Sequence, residues 1–309
     1  MTAKHKISPS LAKLLVRMFA GLGAFSFLLW LLLRGQNIAI LHSKGPIASQ
    51  QRDLIIWSLI VILAIAVPTV LLLYFTAWRY RESHSSSTYH PEAKTGKIFN
   101  IIIWALPSLM MLVLAFTLVP STHKLQPNKA LAAQKPSINI QVVAMRWKWL
   151  FIYPEQGIAT VNYVQLPKDT PVAFDLTADD APMSSFWVPN LSGQLYAMTG
   201  HINRLNLIAN VNGDYPGRSA EINGAGFAGM QFTARVSSTD DFESWVETTK
   251  QSSASLDKTA YQTLIKPSEN NEVETYYPVD GTLYADAVMK YIGSHGNKAA
   301  HTMHDEGMN

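Results

Sequence analysis

The sequence predicts a membrane-anchored all-β protein: an N-terminal signal or anchor helix, a transmembrane helical hairpin, a Greek-key β-sandwich and short C-terminal helices. Three observations carry this. Two long runs near the N-terminus hold no charge at all, Leu54 to Trp78 over 25 residues and Ile98 to Val119 over 22. Short stretches of alternating apolar and polar residues follow, separated by turn clusters, as half-buried strands require. Beyond residue 237 the apolar spacing lengthens to that of helices.

A helix rises about 1.5 Å per residue, so each uncharged run can cross a hydrocarbon core of about 30 Å. Pro68 and Pro107 fall inside the runs, which membrane helices tolerate. An earlier run, Met18 to Leu33, is preceded by Lys4, Lys6, Lys13 and Arg17. This is the layout of a signal peptide or signal anchor over 1–36, and the absence of a small-x-small cleavage site favours retention. Residues 1–120 carry 11 Lys and Arg against 3 Asp and Glu, whereas 121–309 carry 14 against 19. The basic N-terminal tail and the basic 79–97 loop place those segments in the cytoplasm and everything after Val119 outside.

The chain has no cysteine. An exported domain without cysteine has no disulfide, no thiolate metal site, no c-type haem attachment and no lipid on sulfur. Nothing in the charge pattern points to nucleic acid.

Residues 37–120 are expected to form the hairpin, with 120–137 a linker carrying three prolines. The β domain is expected over 121–237. Its strands are predicted in SINIQVV, 158–166, 171–177, 194–198, 203–209 and 230–236, with turns at 153–157 and 210–217. Trp147 and Trp149 are predicted on one strand face, two residues apart. Helices are predicted in DDFESWVETTK, capped by its Asp residues, in SLDKTAYQTLIKP and in GTLYADAVMKYI, all within 238–292. The tail 293–309 reads as disordered; His295, His301 and His304 leave a metal-binding tract there as the minor alternative.

The stretches MRWKWLFIYPEQGIATVNYVQLP, SSFWVPNLSGQLYAMTGHINRLNLIAN and SAEINGAGFAGMQF, with the W-x-x-P at Trp104 to Pro107, resemble subunit II of the cytochrome bo-type ubiquinol oxidases, in the haem–copper oxidase superfamily. The resemblance spans about residues 44–292 and implies a cupredoxin fold for the sandwich. In cytochrome c oxidases the matching loop reads Cys-x-Glu-x-Cys-x-x-x-His-x-x-Met, and with an earlier His it holds a dinuclear copper site. Here the cysteine positions are Ser219 and Asn223, the loop histidine is Phe227 and the earlier histidine is Ser184; Glu221 and Met230 remain. Copper of this kind needs thiolate and imidazole, so the resemblance implies a chain with no metal, cofactor or catalytic centre of its own. Phe227 is then expected to plug the old cavity.

The implied partners are a catalytic subunit I carrying the haems and one copper, smaller membrane subunits, membrane lipid and ubiquinol as the substrate of the complex, with no cytochrome c. The implied location is the bacterial inner membrane, multi-pass, with the C-terminal domain in the periplasm. Without the copper, Trp147 and Trp149 are expected to serve packing or docking as interface aromatics. Related oxidases carry a glutamate near the start of the second hairpin helix, at a proton-path mouth. That place is Asn100 here, with Glu92 a candidate substitute. The lipid-bearing cysteine of bo-type relatives corresponds to Gln36. The competing reading is a membrane-anchored cupredoxin that carries electrons or copper by itself; it needs at least two His and usually a Cys in the sandwich, which past the 120–137 linker offers only His201.

Overall fold

The structure, a computed structural model, describes residues 9–35, 38–81, 96–131 and 135–292. The chain divides into two compact units, one of residues 1–38 and 55–118 and the other of 39–54 and 119–309. Glu92, Gln36, His295, His301 and His304 lie outside the described residues.

The first unit is helical. Helix α1 runs Pro9–Leu33, α2 Pro46–Arg79 and α3 Lys97–Lys124. Helices α2 and α3 are long and apolar enough to cross a membrane, and almost none of their apolar surface is covered within the chain. Both outrun their uncharged cores: α2 starts eight residues before Leu54, and α3 continues five residues past Val119 into the expected linker. A helix already nucleated extends at little cost, so the Pro120 that looked like a break is accommodated in the last turns of α3.

The second unit is a two-layer β-sandwich. Its strands are β1 Ile138–Met145, β2 Lys148–Tyr153, β3 Ile158–Val161, β4 Tyr163–Pro167, β5 Pro171–Ala178, β6 Ser184–Trp187, β7 Leu195–Ala197, β8 Asn203–Ile208, β9 Gly213–Ser219, β10 Gln231–Ser237 and β11 Glu274–Tyr276. One sheet has the order β11-β3-β2-β1-β5-β8 and the other β4-β10-β9-β6-β7. The pairs β1–β5 and β4–β10 are parallel among otherwise antiparallel neighbours, the mark of crossover connections between layers.

The six-stranded sheet is buried on both faces. Trp149, Phe151 and Tyr153 of β2 point between the sheets, where Phe174, Phe186 and Phe232 meet them. Leu150 and Ile152 point outward, under a second core built with Leu256, Tyr261, Ile265, Leu283, Tyr284 and Val288. Three helices follow β10, α4 Thr239–Thr249, α5 Lys258–Leu264 and α6 over 283–292, and of these α5 and α6 supply the second core. Helix α4 presents Phe242 and Val246 to the first core instead. Its cap is Ser238, whose hydroxyl accepts from Asp241 N at 3.1 Å; Asp240 and Asp241 sit in the first turn rather than at the cap. There they favour the positive end of the helix dipole.

Three expectations from the sequence differ from the structure. The predicted strand 158–166 is two strands in different sheets. Asn162, at φ 54°, breaks it, and Asn is among the few residues that tolerate a left-handed backbone. Its side-chain oxygen accepts from Trp149 N at 2.9 Å and so fixes the turn to β2. The predicted turn 210–217 contains most of β9. Pro216 is tolerated because β6 pairs only with residues 218 and 219, leaving β9 one neighbour at that point. Gly217 has a packing reason, since a Cβ there would lie 2.1 Å from the Phe232 ring. Trp147 is not on a strand; it occupies the turn between β1 and β2 with φ 65°. The helices after 238 pack on the sandwich, α4 against the first core and α5 and α6 against the second, and the segment adds an edge strand, β11, that no periodicity announced.

The free edge at β8 is covered by chain flanking the helices. Asn206 donates from its backbone and side-chain nitrogens to Pro127 O at 2.9 and 3.1 Å. Lys44 donates to Asn190 O at 2.7 Å and accepts from Asn210 N at 2.9 Å. Covering an edge in this way removes a template for pairing with other chains.

Tyr153 ties the two sheets directly. Its hydroxyl donates to Gln165 O at 3.0 Å and accepts from Gln165 N at 2.9 Å. Burial pushes this phenol well above its ordinary pKa. Tyr153→Phe is expected to cost about 1–3 kcal/mol, because both backbone groups of Gln165 lose their buried partner. Urea unfolding of the full chain in detergent measures this; a loss indistinguishable from zero would contradict the assignment.

Candidate functional site

The site is the end of the five-stranded sheet where β6, β9 and β10 converge. Strand β6 begins at Ser184 and β9 ends at Ser219, and both residues are buried. The chain then makes a loop with a 3-10 turn at Ala225–Gly229 and enters β10 after Met230. Met230 is fully buried. Its carbonyl accepts from Ser219 N at 3.2 Å, so the loop's two ends are pinned together.

Within this frame the ligand-equivalent positions find one another. Asn223 donates through Nδ2 to Ser184 Oγ at 2.8 Å and to Met230 Sδ at 3.2 Å. Ser219 Oγ donates to Glu221 O at 3.0 Å. The arrangement joins a hydroxyl, an amide and a thioether from three elements. It has the form of a ligand set closed on itself: the amide hydrogens occupy the acceptors that a cation would otherwise attract. Asn223 Oδ1 is buried with no hydrogen-bond partner among the described residues, which costs stability.

Phe227 does not plug the site. It is half-exposed in the 3-10 turn and belongs to neither core, whereas Met230 is the buried apolar residue at the base. Ile222, at the tip, is 79% exposed.

The two tryptophans separate. Trp149 is a core residue, fully buried and edge-on to Phe186 at 5.4 Å and Phe232 at 5.9 Å. It is therefore not available to a partner. Trp147 lies under the loop: a Cβ on Gly226 would fall 2.5 Å from its ring, and one on Gly224 3.2 Å away. The loop glycines thus permit the indole to support the loop backbone. Trp147 and Asn223 also border an open cleft of about 550 Å³ with Arg146, Asp180, Thr199 and Tyr291.

Sequence reasoning missed two charged residues beside this region. Lys148 is 3% exposed, and burial pulls its ammonium below the ordinary lysine pKa. Asp179 is buried and accepts from Lys290 Nζ, Tyr261 Oη and Tyr291 Oη, each at 2.8 Å. The signal was present in Lys148, a lone charge inside the apolar run KWLFIY.

Of the other candidates, Asn100 sits exposed in the first turn of α3 and its backbone N donates to Gly96 O at 3.1 Å. His201 is exposed, with Nδ1 3.1 Å from Thr199 O. No group of three His, Cys, Asp or Glu side chains that could hold a metal occurs among the described residues.

Comparison with known proteins places this geometry. The model of the family "Cytochrome C oxidase subunit II, periplasmic domain" matches residues 155–237, and that of "COX Aromatic Rich Motif" matches 250–295. "Cytochrome bo(3) ubiquinol oxidase subunit 2" of Pseudomonas putida is 42% identical over 279 residues, 90% of this chain and 88% of that one. "Ubiquinol oxidase subunit 2" of Acetobacter aceti is 42% identical over 282 residues, 90% of each chain. The solved periplasmic domain of subunit II of cytochrome oxidase from Bradyrhizobium japonicum is 23% identical, covers 39% of this chain and 96% of its own, and superposes with a TM-score of 0.36. The extent and level of identity to the oxidase subunits establish that this chain belongs to the cytochrome bo(3)-type ubiquinol oxidase subunit 2 family, and is thus a subunit of an oxidoreductase complex.

Proposed function

We propose that this chain is a copper-free second subunit, which anchors and caps the catalytic haem–copper subunit of an oxidase that takes electrons from ubiquinol, reduces oxygen to water and translocates protons. The observation that carries the reading is the Asn223 amide, which spends its hydrogens on Ser184 and Met230. Two serines, an amide and a phenyl ring stand where thiolates and imidazoles would be needed, and hydroxyl and amide oxygens are poor ligands for copper of that type.

The chemistry of the donor explains why a relay is dispensable. A protein donor delivers single electrons at the outer surface and needs a metal there to receive them. A quinol is apolar, dissolves in the bilayer and can reach a site within the membrane subunit directly. In this reading the haems and single copper belong to subunit I. The partners of this chain are then that subunit, the smaller membrane subunits and lipid, with no cytochrome c and no nucleic acid. The chain lies in a bacterial inner membrane with its sandwich in the periplasm. Helix α1 is retained as a third span, taking the place of the lipid that Gln36 cannot carry.

Oxygen uptake by the complex purified through this chain tests the reading. Fast uptake with reduced ubiquinol and none with reduced cytochrome c is expected; uptake with cytochrome c alone would overturn it.

An amide cannot titrate, so Asn100 is not a proton carrier in this account; either Glu92 substitutes for it or the proton path enters differently. Glu92→Gln is expected to slow quinol-driven proton uptake several-fold, as loss of a proton-transfer group does, whereas Asn100→Leu leaves it unchanged. Stopped-flow pH measurements on reconstituted vesicles distinguish these; the opposite ranking would remove Glu92 from the path.

A further inference from the structure

The loop 219–230 is closed from outside by a segment of chain that comes from the other side of the sandwich. Between α5 and β11 the residues 266–271 cross over the 3-10 turn. A Cβ on Gly226 would lie 2.8 Å from Glu269 Cγ, and one on Gly229 would lie 2.5 Å from Asn270 Oδ1 and 3.4 Å from Asn270 N. Two glycines of the loop are thus pressed by two consecutive residues of the crossing segment. The same Cβ on Gly226 would also lie 2.5 Å from the Trp147 ring, so the indole and the crossing chain together close the space beside this glycine.

The crossing segment is itself fastened. Lys148 Nζ donates to Lys266 O at 3.1 Å and to Ser268 Oγ. Ser268 Oγ donates to Asn271 Oδ1 at 2.6 Å, and Asn271 Nδ2 donates back to Ser268 O at 3.0 Å. Asn162 Nδ2 donates to Asn271 O at 3.0 Å. Asn270 has φ 52°, the left-handed bend that aims its side chain at Gly229. A buried ammonium costs free energy unless its donors are used. Lys148 uses two of its donors on this segment, which accounts for a charge at the first position of an otherwise apolar strand.

We propose that residues 266–271 act as a strap that holds the 219–230 loop in its closed form, and that Lys148 is the residue that positions the strap. The loop lies within the stretch matched by the periplasmic-domain family, 155–237, and the strap within the separately matched aromatic-rich stretch, 250–295. The second stretch therefore supplies, by packing and hydrogen bonds, a cross-link of the kind that a metal gives a loop by coordination. That the strap replaces a metal rests on the copper-free reading above; that it fixes the loop does not. Bound copper would sink the first statement and leave the second standing.

Hydrogen exchange read by mass spectrometry on the intact purified oxidase tests the strap. Glu269 and Asn270 are exposed, so Glu269→Ala with Asn270→Gly shortens the strap without opening a core. Lys148→Met removes its fastening. Both are expected to speed amide exchange in 219–230 by about tenfold or more while β1 and β5 keep their wild-type protection, because local opening is independent of global unfolding. Wild-type exchange in 219–230 for the strap variant would overturn the proposal, as would a uniform rise across the sandwich. If Lys148→Met does not assemble, the strap variant decides alone.

Discussion

The structure depends on one constraint: the six-stranded sheet has apolar side chains on both faces, and both must be covered. The inner face is covered by the second sheet, through the aromatic cluster of Trp149, Phe151, Phe174, Phe186 and Phe232. The outer face is covered by α5, α6 and the chain between them. Burying one such side chain contributes about 1.5–3 kcal/mol, so the C-terminal segment cannot detach without exposing a core. Because it must lie on that face, its connecting residues 266–271 run past the end of the sheet where the loop is. The strap follows from the same requirement that places the helices.

The site is held together by contacts among its own side chains. In a metal loop the ligands are mutually repelling lone pairs drawn together by a cation. In this loop the residues at those places attract one another without one: Asn223 donates, Ser184 and Met230 accept. The backbone brings β6, β9 and β10 to one point, where these side chains meet. Gly224 and Gly226 leave room for the close approach of the Trp147 ring, a need unrelated to metal.

What could be read from the sequence follows the physics of burial. Strands with one exposed edge or a polar alternation, such as β1 and β8, announced themselves, and the long uncharged runs gave α2 and α3. Strand β2 showed only as the stretch carrying Trp147 and Trp149, without bounds, because KWLFIY is buried at every position and a doubly covered strand has no period-two signal. Strand β9 was hidden by Gly213, Pro216 and Gly217, which usually mark turns. Here the glycine makes room for Phe232 and the proline sits beyond the reach of β6. The break at Asn162 and the turn at Trp147 rest on single left-handed residues, which periodicity cannot register. The ligand-equivalent positions came from motif resemblance, and the structure brings Ser184, Asn223 and Met230 into contact. It also puts Trp149 in the core and leaves Phe227 half-exposed, because which side chain fills a cavity is decided by three-dimensional packing. Lys148 was legible as an anomaly, but its partners, more than a hundred residues away in sequence, were not.

The central claim is that hydrogen bonds and packing, not metal, close the loop. Copper counted by plasma mass spectrometry per intact purified complex, after incubation with excess copper and removal of the unbound ion, tests it most directly. The account predicts one copper atom per complex, the one assigned to the catalytic subunit. Three copper atoms per complex, with the two additional ones lost on Asn223→Leu, would contradict it.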